Sequence, residues 1–167
     1  MTNFVVHGPL EVPRHRGKGG WTIIQDNVAQ FWEDNPSLRF GRGCYVFGIQ
    51  AGKGFTPGYV GQAKATFKQE VFSSDKIMKY QQFLANYKKG TPVLFFVAAP
   101  KKRGAPNVNH IKDLEDYLIT IGVTANPSLL NIKGTKTEEW GILGVLRGGR
   151  GKPTNAATDF RRMMKLP

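Results

Sequence analysis

The run from Pro92 to Ala99 constrains the fold of this chain more than any other segment. It is almost wholly apolar and rich in aromatic and β-branched residues, the types that favour strands. A strand with one face in water would alternate between apolar and polar residues, and this run does not alternate. It therefore predicts a central strand whose two faces are both covered by other parts of the chain.

Two more strand-like runs, Cys44–Ile49 and Gly58–Gly61, precede it in the chain. The residues between them include Gly52, Gly54 and Pro57, which predict a hairpin with a long loop. The first 13 residues alternate loosely between apolar and polar types and predict a further strand or hairpin arm.

Apolar residues at helical spacing predict the helices, and proline, glycine or a capping side chain sets their ends. The predicted elements are helices over Thr22–Asp34 and Ala65–Phe72, a helix capped by Asp75 that stops at Gly90, a helix capped by Asn109 that buries Ile111, Leu114, Leu118 and Ile121 and ends at Gly122, a strand over Trp140–Leu146 and a helix over Ala156–Met164. This order predicts an α+β fold, with a small antiparallel sheet flanked by helices. It also predicts that residues 1–167 form a single domain.

The chain is strongly basic, with 24 Lys and Arg against 12 Asp and Glu, and its net charge is +12. Such an imbalance favours a polyanionic partner, because each neutralised phosphate releases condensed counterions. Nucleic acid is the expected partner, and acidic membranes and ribosomes are the alternatives.

The single cysteine, Cys44, excludes an intrachain disulfide and indicates a reducing compartment. No apolar run approaches the roughly 20 residues that cross a bilayer, and prolines and charges stand where a signal peptide would be apolar. We therefore expect a cytoplasmic protein with no membrane partner.

Glu115 is the most informative single residue. On the helix predicted from Asn109, its neighbours four residues away are Ile111 and Ile119, so it lies on or beside the buried stripe. An ionised carboxylate there is costly unless it is paired or binds a metal. The alternative is a carboxylate at the edge of the stripe that reaches water or a lysine.

Two tyrosines in the predicted hairpin, Tyr45 and Tyr59, could project from a common face of the sheet. A tyrosine pair by itself usually reports packing. The motifs around the pair are more specific, and together with the later segments they resemble the GIY-YIG nuclease family. The matching residues are Gly43-Cys44-Tyr45, Tyr59-Val60-Gly61, then Gln62-Ala63-Lys64 and Phe67, Leu114-Glu115, Asn126-Pro127 and Asn131.

The resemblance covers residues 43–131 and implies a GIY-YIG-like core, with an N-terminal extension at 1–42 and a basic C-terminal extension at 132–167. It implies a metal-dependent hydrolase of DNA phosphodiesters that uses Mg²⁺ or Mn²⁺. By the same resemblance, Tyr45 would act as general base or position the attacking water, and Tyr59 would support the phosphate. Glu115 would bind the metal and Asn131 would brace the site.

One departure from the family concerns the arginine that the family carries on its first helix. Glu70 stands in that slot, and an acid there would repel the phosphate. Three explanations are open. The cation is relocated to Lys68, Lys76 or Lys79; Glu70 pairs with one of these lysines; or the module has lost cleavage and kept binding.

Three basic clusters are candidate nucleic-acid contacts, and the alternative for each is solvated charge. The first is the C-terminal segment, where Gly148, Gly149 and Gly151 are interleaved; the others lie near the N-terminus and after the apolar strand. Their members are Arg147, Arg150, Lys152, Arg161, Arg162 and Lys165; Arg14, Arg16 and Lys18; and Lys101, Lys102 and Arg103. Lys68 is a further candidate.

Other chemistries lack their signatures. His7, His15 and His110 are scattered and do not have the spacing of zinc ligands. Pro153 follows Lys152 where a phosphate-binding loop of the Walker type requires serine or threonine. Cys44 is predicted to be a buried thiol. The resemblance, together with the basic charge, thus implies a metal-dependent DNA endonuclease, with a DNA-binding module that has lost catalysis, or more remotely an RNA-binding protein, as alternatives.

Overall fold

The computed structural model describes residues 2–100, 106–131, 142–143, 147–148 and 153–164. The chain divides into two compact units, Met1–Thr135 and Lys136–Pro167. In the first unit the elements are β1 Val5–Glu11, β2 His15–Gly17, β3 Gly20–Thr22, α1 Gln25–Asp34, β4 Gly43–Ala51, β5 Gly54–Ala63, α2 Phe67–Glu70, α3 Ser74–Leu84, β6 Thr91–Ala98 and α4 Val108–Ala125. A single 3-10 turn at Pro36–Leu38 follows α1.

The predicted α+β class is confirmed. A four-stranded antiparallel sheet has the order β1-β6-β4-β5, and helices pack against it. The predicted central strand is β6, which pairs with β1 on one side and β4 on the other. Its consecutive residues Val93 and Leu94 point to opposite faces, and both are buried, as an apolar run without alternation requires.

The hairpin of β4 and β5 has a tight turn, so the predicted long loop is wrong. Ala51 pairs with Gly54, and only Gly52 and Lys53 lie between them. Gly52 has a φ of 61°, a left-handed conformation that glycine adopts without steric cost. The Gly- and Pro-rich stretch that indicated a loop forms the start of β5, where the pairing register shifts opposite Phe47 and Gly48.

The two faces of the sheet are covered by different helices. One face packs against α1, α2 and α3 through a largely aromatic core, and the other packs against α4 through Val60, Ile119 and Leu129. Cys44 is buried, as predicted, and its Sγ lies 3.3 Å from the carbonyl oxygen of Ile111 on α4. Burial, followed by the charges of Glu115 and Asp116, raises the pKa of Cys44 to about 12, which opposes a nucleophilic role.

Several helix boundaries differ from the predictions. Helix α3 follows Ser73, so Asp75 lies in its first turn instead of capping it. The side chain of Asn107, not Asn109, caps α4 by accepting a hydrogen bond from the Asn109 N–H. Helix α4 continues through Gly122 to Ala125.

The buried stripe of α4 is also rotated from the predicted one. Ile111, Ile119 and Gly122 are buried, whereas Ile121 is 45% exposed. A Cβ at Gly122 would lie 3.2 Å from Leu129, so the absence of a side chain lets Leu129 pack against the helix. This rotation places Glu115 on the stripe, between Ile111 and Ile119.

The second unit contains a parallel pair of short strands, β7 Ile142–Leu143 and β8 Arg147–Gly148, and helix α5 Asn155–Met163. The helix agrees with the prediction of a helix over Ala156–Met164. The side chain of Thr154 caps it by accepting a hydrogen bond from the Ala157 N–H.

Candidate functional site around strand β5

Tyr45 and Tyr59 lie on the same face of the β4–β5 hairpin. Tyr45 pairs with Gly61 and Tyr59 pairs with Phe47, so the tyrosines are diagonal neighbours, and their ring centroids are 6.4 Å apart. A Cβ at position 61 would lie 2.4 Å from the Tyr45 hydroxyl oxygen. Gly61 therefore makes the space in which the Tyr45 ring lies.

Tyr45 is fully buried. Its hydroxyl has no hydrogen-bond partner among the residues that the structure describes. Burial, and after it the neighbouring Tyr59, raises the pKa of Tyr45 well above its ordinary value. The raised pKa keeps the Tyr45 hydroxyl protonated, which opposes a role as general base.

Tyr80 is a third tyrosine, and its ring lies beside that of Tyr59. The sequence indicated only that Tyr80 belongs to the buried face of α3. Its ring stacks on Phe47 with centroids 4.0 Å apart, and its hydroxyl donates a 2.6 Å hydrogen bond to the carbonyl oxygen of Val71. These contacts hold the start of α3 against the hairpin and so position Lys76 and Lys79, which lie in the first two turns of α3.

Those two lysines lie over Tyr59, which is itself 7% exposed. The Nζ atoms of Lys76 and Lys79 are 5.5 and 4.9 Å from the centroid of the Tyr59 ring. Asp75 joins them, with its Oδ2 at 2.8 Å from Lys76 Nζ and 3.8 Å from Lys79 Nζ. Spacing alone placed the lysines on one helix but did not show that Asp75 would bridge them.

The charges of Lys76 and Asp75 persist over a wide pH range. Burial lowers the pKa of Lys76, but the hydrogen bond to Asp75 and the neighbouring Tyr59 outweigh burial and raise it. Hydrogen bonds from Lys76 and Ser73 lower the pKa of Asp75 to about 2. Lys76 therefore stays cationic, and part of its charge is balanced by an ionised carboxylate.

Glu115 lies beside the C-terminal end of β5. Its Oε2 accepts a 2.6 Å hydrogen bond from Nε2 of Gln62, the residue that follows Gly61 on β5. Burial, then Asp116, raises the pKa of Glu115, while Lys64 and Lys76 act in the opposite direction. The sequence indicated Gln62 only as part of a motif and did not predict its contact with Glu115. The two residues are 53 positions apart, and no local pattern shows that they meet.

Asn131 braces β5 directly. Its side-chain amide accepts from the Val60 N–H at 2.9 Å and donates to the Val60 carbonyl oxygen at 2.7 Å. Just before it, the Leu130 N–H donates to Gly58 O and the Asn126 amide donates to Pro57 O. Because β5 is the edge strand, these contacts satisfy backbone groups that no neighbouring strand can reach.

The remaining candidate residues lie elsewhere. Lys68 lines a different cleft, together with Trp32 and Arg39. Glu70 forms no salt bridge among the described residues, so the hypothesis that Glu70 pairs with a lysine is not supported. Arg162 is exposed on α5 and lies 3.5 Å from Asp159. Arg147 and Arg161 belong to β8 and α5, but their side chains are outside the described residues, as are Arg150, Lys152, Lys165 and the cluster Lys101, Lys102 and Arg103.

The described part of the chain contains no group of three or more His, Cys, Asp or Glu residues that could hold a metal ion, and no helix in it is long and apolar enough to cross a bilayer. A site with one carboxylate ligand would not form such a group. Comparison with protein-family models gives no match, and neither do comparisons with curated proteins and with solved structures.

Proposed function

We propose that this protein is a metal-dependent DNA endonuclease whose site lies around β5. The observation that carries the proposal is that three elements place polar side chains around this strand, with Lys76 of α3 near enough to Glu115 of α4 to oppose the rise in its pKa. The hairpin supplies Tyr45 and Tyr59, α3 supplies the two lysines over Tyr59, and α4 supplies Glu115 beside Gln62. The net charge of +12 supports a polyanionic substrate.

The residues at Glu115 fit a hard divalent cation. Mg²⁺ takes oxygen ligands and accepts one carboxylate with waters and phosphate oxygens. Glu115 offers a half-buried carboxylate, and the Oε1 of Gln62 is a buried amide oxygen with no hydrogen-bond partner among the described residues. When bound, the metal would stabilise negative charge on the phosphate and on the leaving oxygen.

Lys76 and Lys79 supply positive charge in place of the arginine that the family carries where Glu70 stands. Their ammonium groups lie over the ring of Tyr59, where a phosphate near the tyrosines would meet them. Asp75 fixes their direction through the two ion pairs. The proposal thus assigns the cationic role to α3 and leaves Lys68, which lines another cleft, as a peripheral contact.

The alternative function is a DNA-binding module without turnover. Two observations favour it. Tyr45 is fully buried, and Asp75 partly neutralises both lysines. Both features would weaken catalysis while leaving the basic surface intact.

Nicking of supercoiled plasmid by the pure protein, with Mg²⁺ or Mn²⁺ and with EDTA, separates the two functions. Glu115→Gln removes the charge and keeps the shape, so we expect nicking to fall to background while duplex binding persists. Lys76→Ala should reduce the rate by about 10²- to 10³-fold if its charge stabilises the reacting phosphate.

Two matched substitutions control for charge and for surface position. Asp113→Asn and Lys112→Ala alter exposed residues on α4, away from the tyrosines, and should leave the rate unchanged. If the wild-type protein binds duplex DNA with a steep salt dependence but does not nick it with either metal, the endonuclease proposal is wrong and the binding module stands.

A further inference from the structure

The β2–β3 hairpin presents an exposed aromatic residue between cations. Trp21 is 57% exposed, in contrast to Trp32, which is 3% exposed in the core. Arg16 pairs with Trp21 across the hairpin, and the guanidinium carbons of Arg14 and Arg16 lie 5.2 and 5.9 Å from the indole centroid. More than half of the indole remains accessible with both arginines in place.

The hairpin is held firmly on α3. Gln81 on α3 donates a 2.7 Å hydrogen bond to the hydroxyl of Thr22, the residue after Trp21. Arg14 donates to the carbonyl oxygen of Gly90 at 3.3 Å. Arg14, Thr22, Gln81 and Tyr87 line a cleft beside the indole ring. The aromatic face is therefore presented by a fixed platform.

The charge around this cleft is almost entirely positive. Lys18 lies at the exposed tip of the hairpin, and Lys88 and Lys89 are exposed just before Gly90. Neither residues 13–23 nor residues 85–90 include an acid, and Glu11 is the carboxylate that acts on Arg14. An exposed indole flanked by two arginines, with three lysines on the neighbouring segments, suits a ligand that combines flat aromatic rings with regularly spaced negative charges.

We propose that this Trp21 cleft binds single-stranded DNA, with an unpaired base stacked on Trp21 and the flanking phosphates on Arg14, Arg16 and the nearby lysines. Duplex DNA presents its backbone and base edges, whereas an unpaired strand presents the faces of its bases. The choice of DNA over RNA rests on the proposed function. The presence of a stacking site is independent of that function.

The position of the cleft relative to the candidate site supports an unpaired strand. Gln81 is five residues after Lys76 on the same helix, which corresponds to about 7.5 Å along its axis and about 140° around it. A strand that contacts both must bend around α3, which a flexible single strand does more readily than a stiff duplex. We therefore expect the substrate to be single-stranded or frayed on the side of the α3 C-terminus.

The test is fluorescence anisotropy with an oligothymidine of about 12 nucleotides, a length within the usual range of such sites. It is carried out in EDTA, so that binding is measured without cleavage. Trp21→Ala should weaken binding by about 5- to 150-fold, the loss expected for one stacked base, and Trp21→Phe should retain most of the affinity. Arg16→Ala should also reduce the dependence of log Kd on log salt by about 0.7, as loss of one phosphate contact from a single strand predicts.

Tyr117→Ala is the matched control, because Tyr117 is a 63% exposed aromatic residue on α4 near Asp113 and Asp116, and its removal should not alter binding. Thermal unfolding checks that the variants fold. Equal affinity of Trp21→Ala and wild type for the oligothymidine would overturn the proposal, as would an equal effect of Trp21→Ala on a duplex of the same length. Tighter binding of the matching RNA would overturn the assignment to DNA. Failure of plasmid nicking removes the proposed enzyme but leaves this binding result standing, since the two assays share no metal-dependent step.

Discussion

Asn131→Ala is expected to lower the free energy of unfolding of the first unit by about 2–4 kcal/mol. The variant loses two hydrogen bonds, at 2.9 and 2.7 Å, and leaves the N–H and the carbonyl oxygen of Val60 without their partner. A lost hydrogen bond that leaves a buried group unsatisfied typically contributes about 1–3 kcal/mol, and Val60 is 1% exposed. Two such losses would sum to about 2–6 kcal/mol. We take the lower half of that range because water can reach part of an edge strand.

The measurement is urea unfolding of the full chain, followed by the fluorescence of its tryptophans, of which Trp32 is buried in the aromatic core of the first unit. Asn131→Asp should also destabilise, because a carboxylate can accept from the Val60 N–H but cannot donate to the Val60 carbonyl. Asn109→Ala, an exposed asparagine on α4, should stay within about 0.5 kcal/mol of wild type.

Unchanged stability in Asn131→Ala would refute the reasoning, because it would mean that the edge of β5 does not depend on this amide. The same variant also tests the role of Asn131 in the proposed reaction. Loss of nicking in proportion to loss of stability fits a bracing role, whereas loss of nicking at full stability would place Asn131 in contact with substrate.

Three further predictions concern the interior of the site. Tyr45→Phe removes a hydroxyl that lacks a partner and should leave thermal stability unchanged or slightly raised, whereas Tyr80→Phe loses a hydrogen bond and should cost about 1 kcal/mol; calorimetry distinguishes them. Gly61→Ala should destabilise strongly, because its Cβ would overlap the Tyr45 hydroxyl, while Gly54→Ala, whose Cβ would come no closer than 3.8 Å to another residue, should unfold near the wild-type temperature. Because burial raises the pKa of Glu115 and only the ionised carboxylate binds a cation, Mn²⁺ affinity measured by titration should weaken as pH falls through that raised pKa, at a higher pH than for an ordinary glutamate; a pH-independent affinity would contradict this.

Residue pattern alone predicted the parts of the fold that depend on local chemistry. The lack of alternation in Pro92–Ala99 identified the doubly covered strand, and helical spacing identified α1, α3 and α4. The turn of the β4–β5 hairpin could not be predicted in the same way. Glycine and proline are typical of loops, but here sheet pairing holds Gly54–Pro57 in a strand, so tertiary contacts overrode local preference.

The predictions of two helix ends were wrong for a similar reason. Asn109 and Gly122 are suitable capping residues, and local rules assigned them that role. In the structure, packing against Leu129 makes Gly122 an interior residue of α4, and the helix begins after Asn107. Such choices between equivalent local signals depend on contacts with residues far away in the chain.

By itself, the sequence determined the fold class, the strongly basic character, the burial of Cys44 and the candidate pair of tyrosines, because composition, periodicity and motif spacing are properties of the chain alone. The tertiary structure decided which groups meet. It brought Gln62 to Glu115, placed Asp75 between two lysines over Tyr59, and set Asn131 against Val60. These contacts join residues from separate elements, and their geometry follows from how the helices pack on the sheet, which no local pattern encodes.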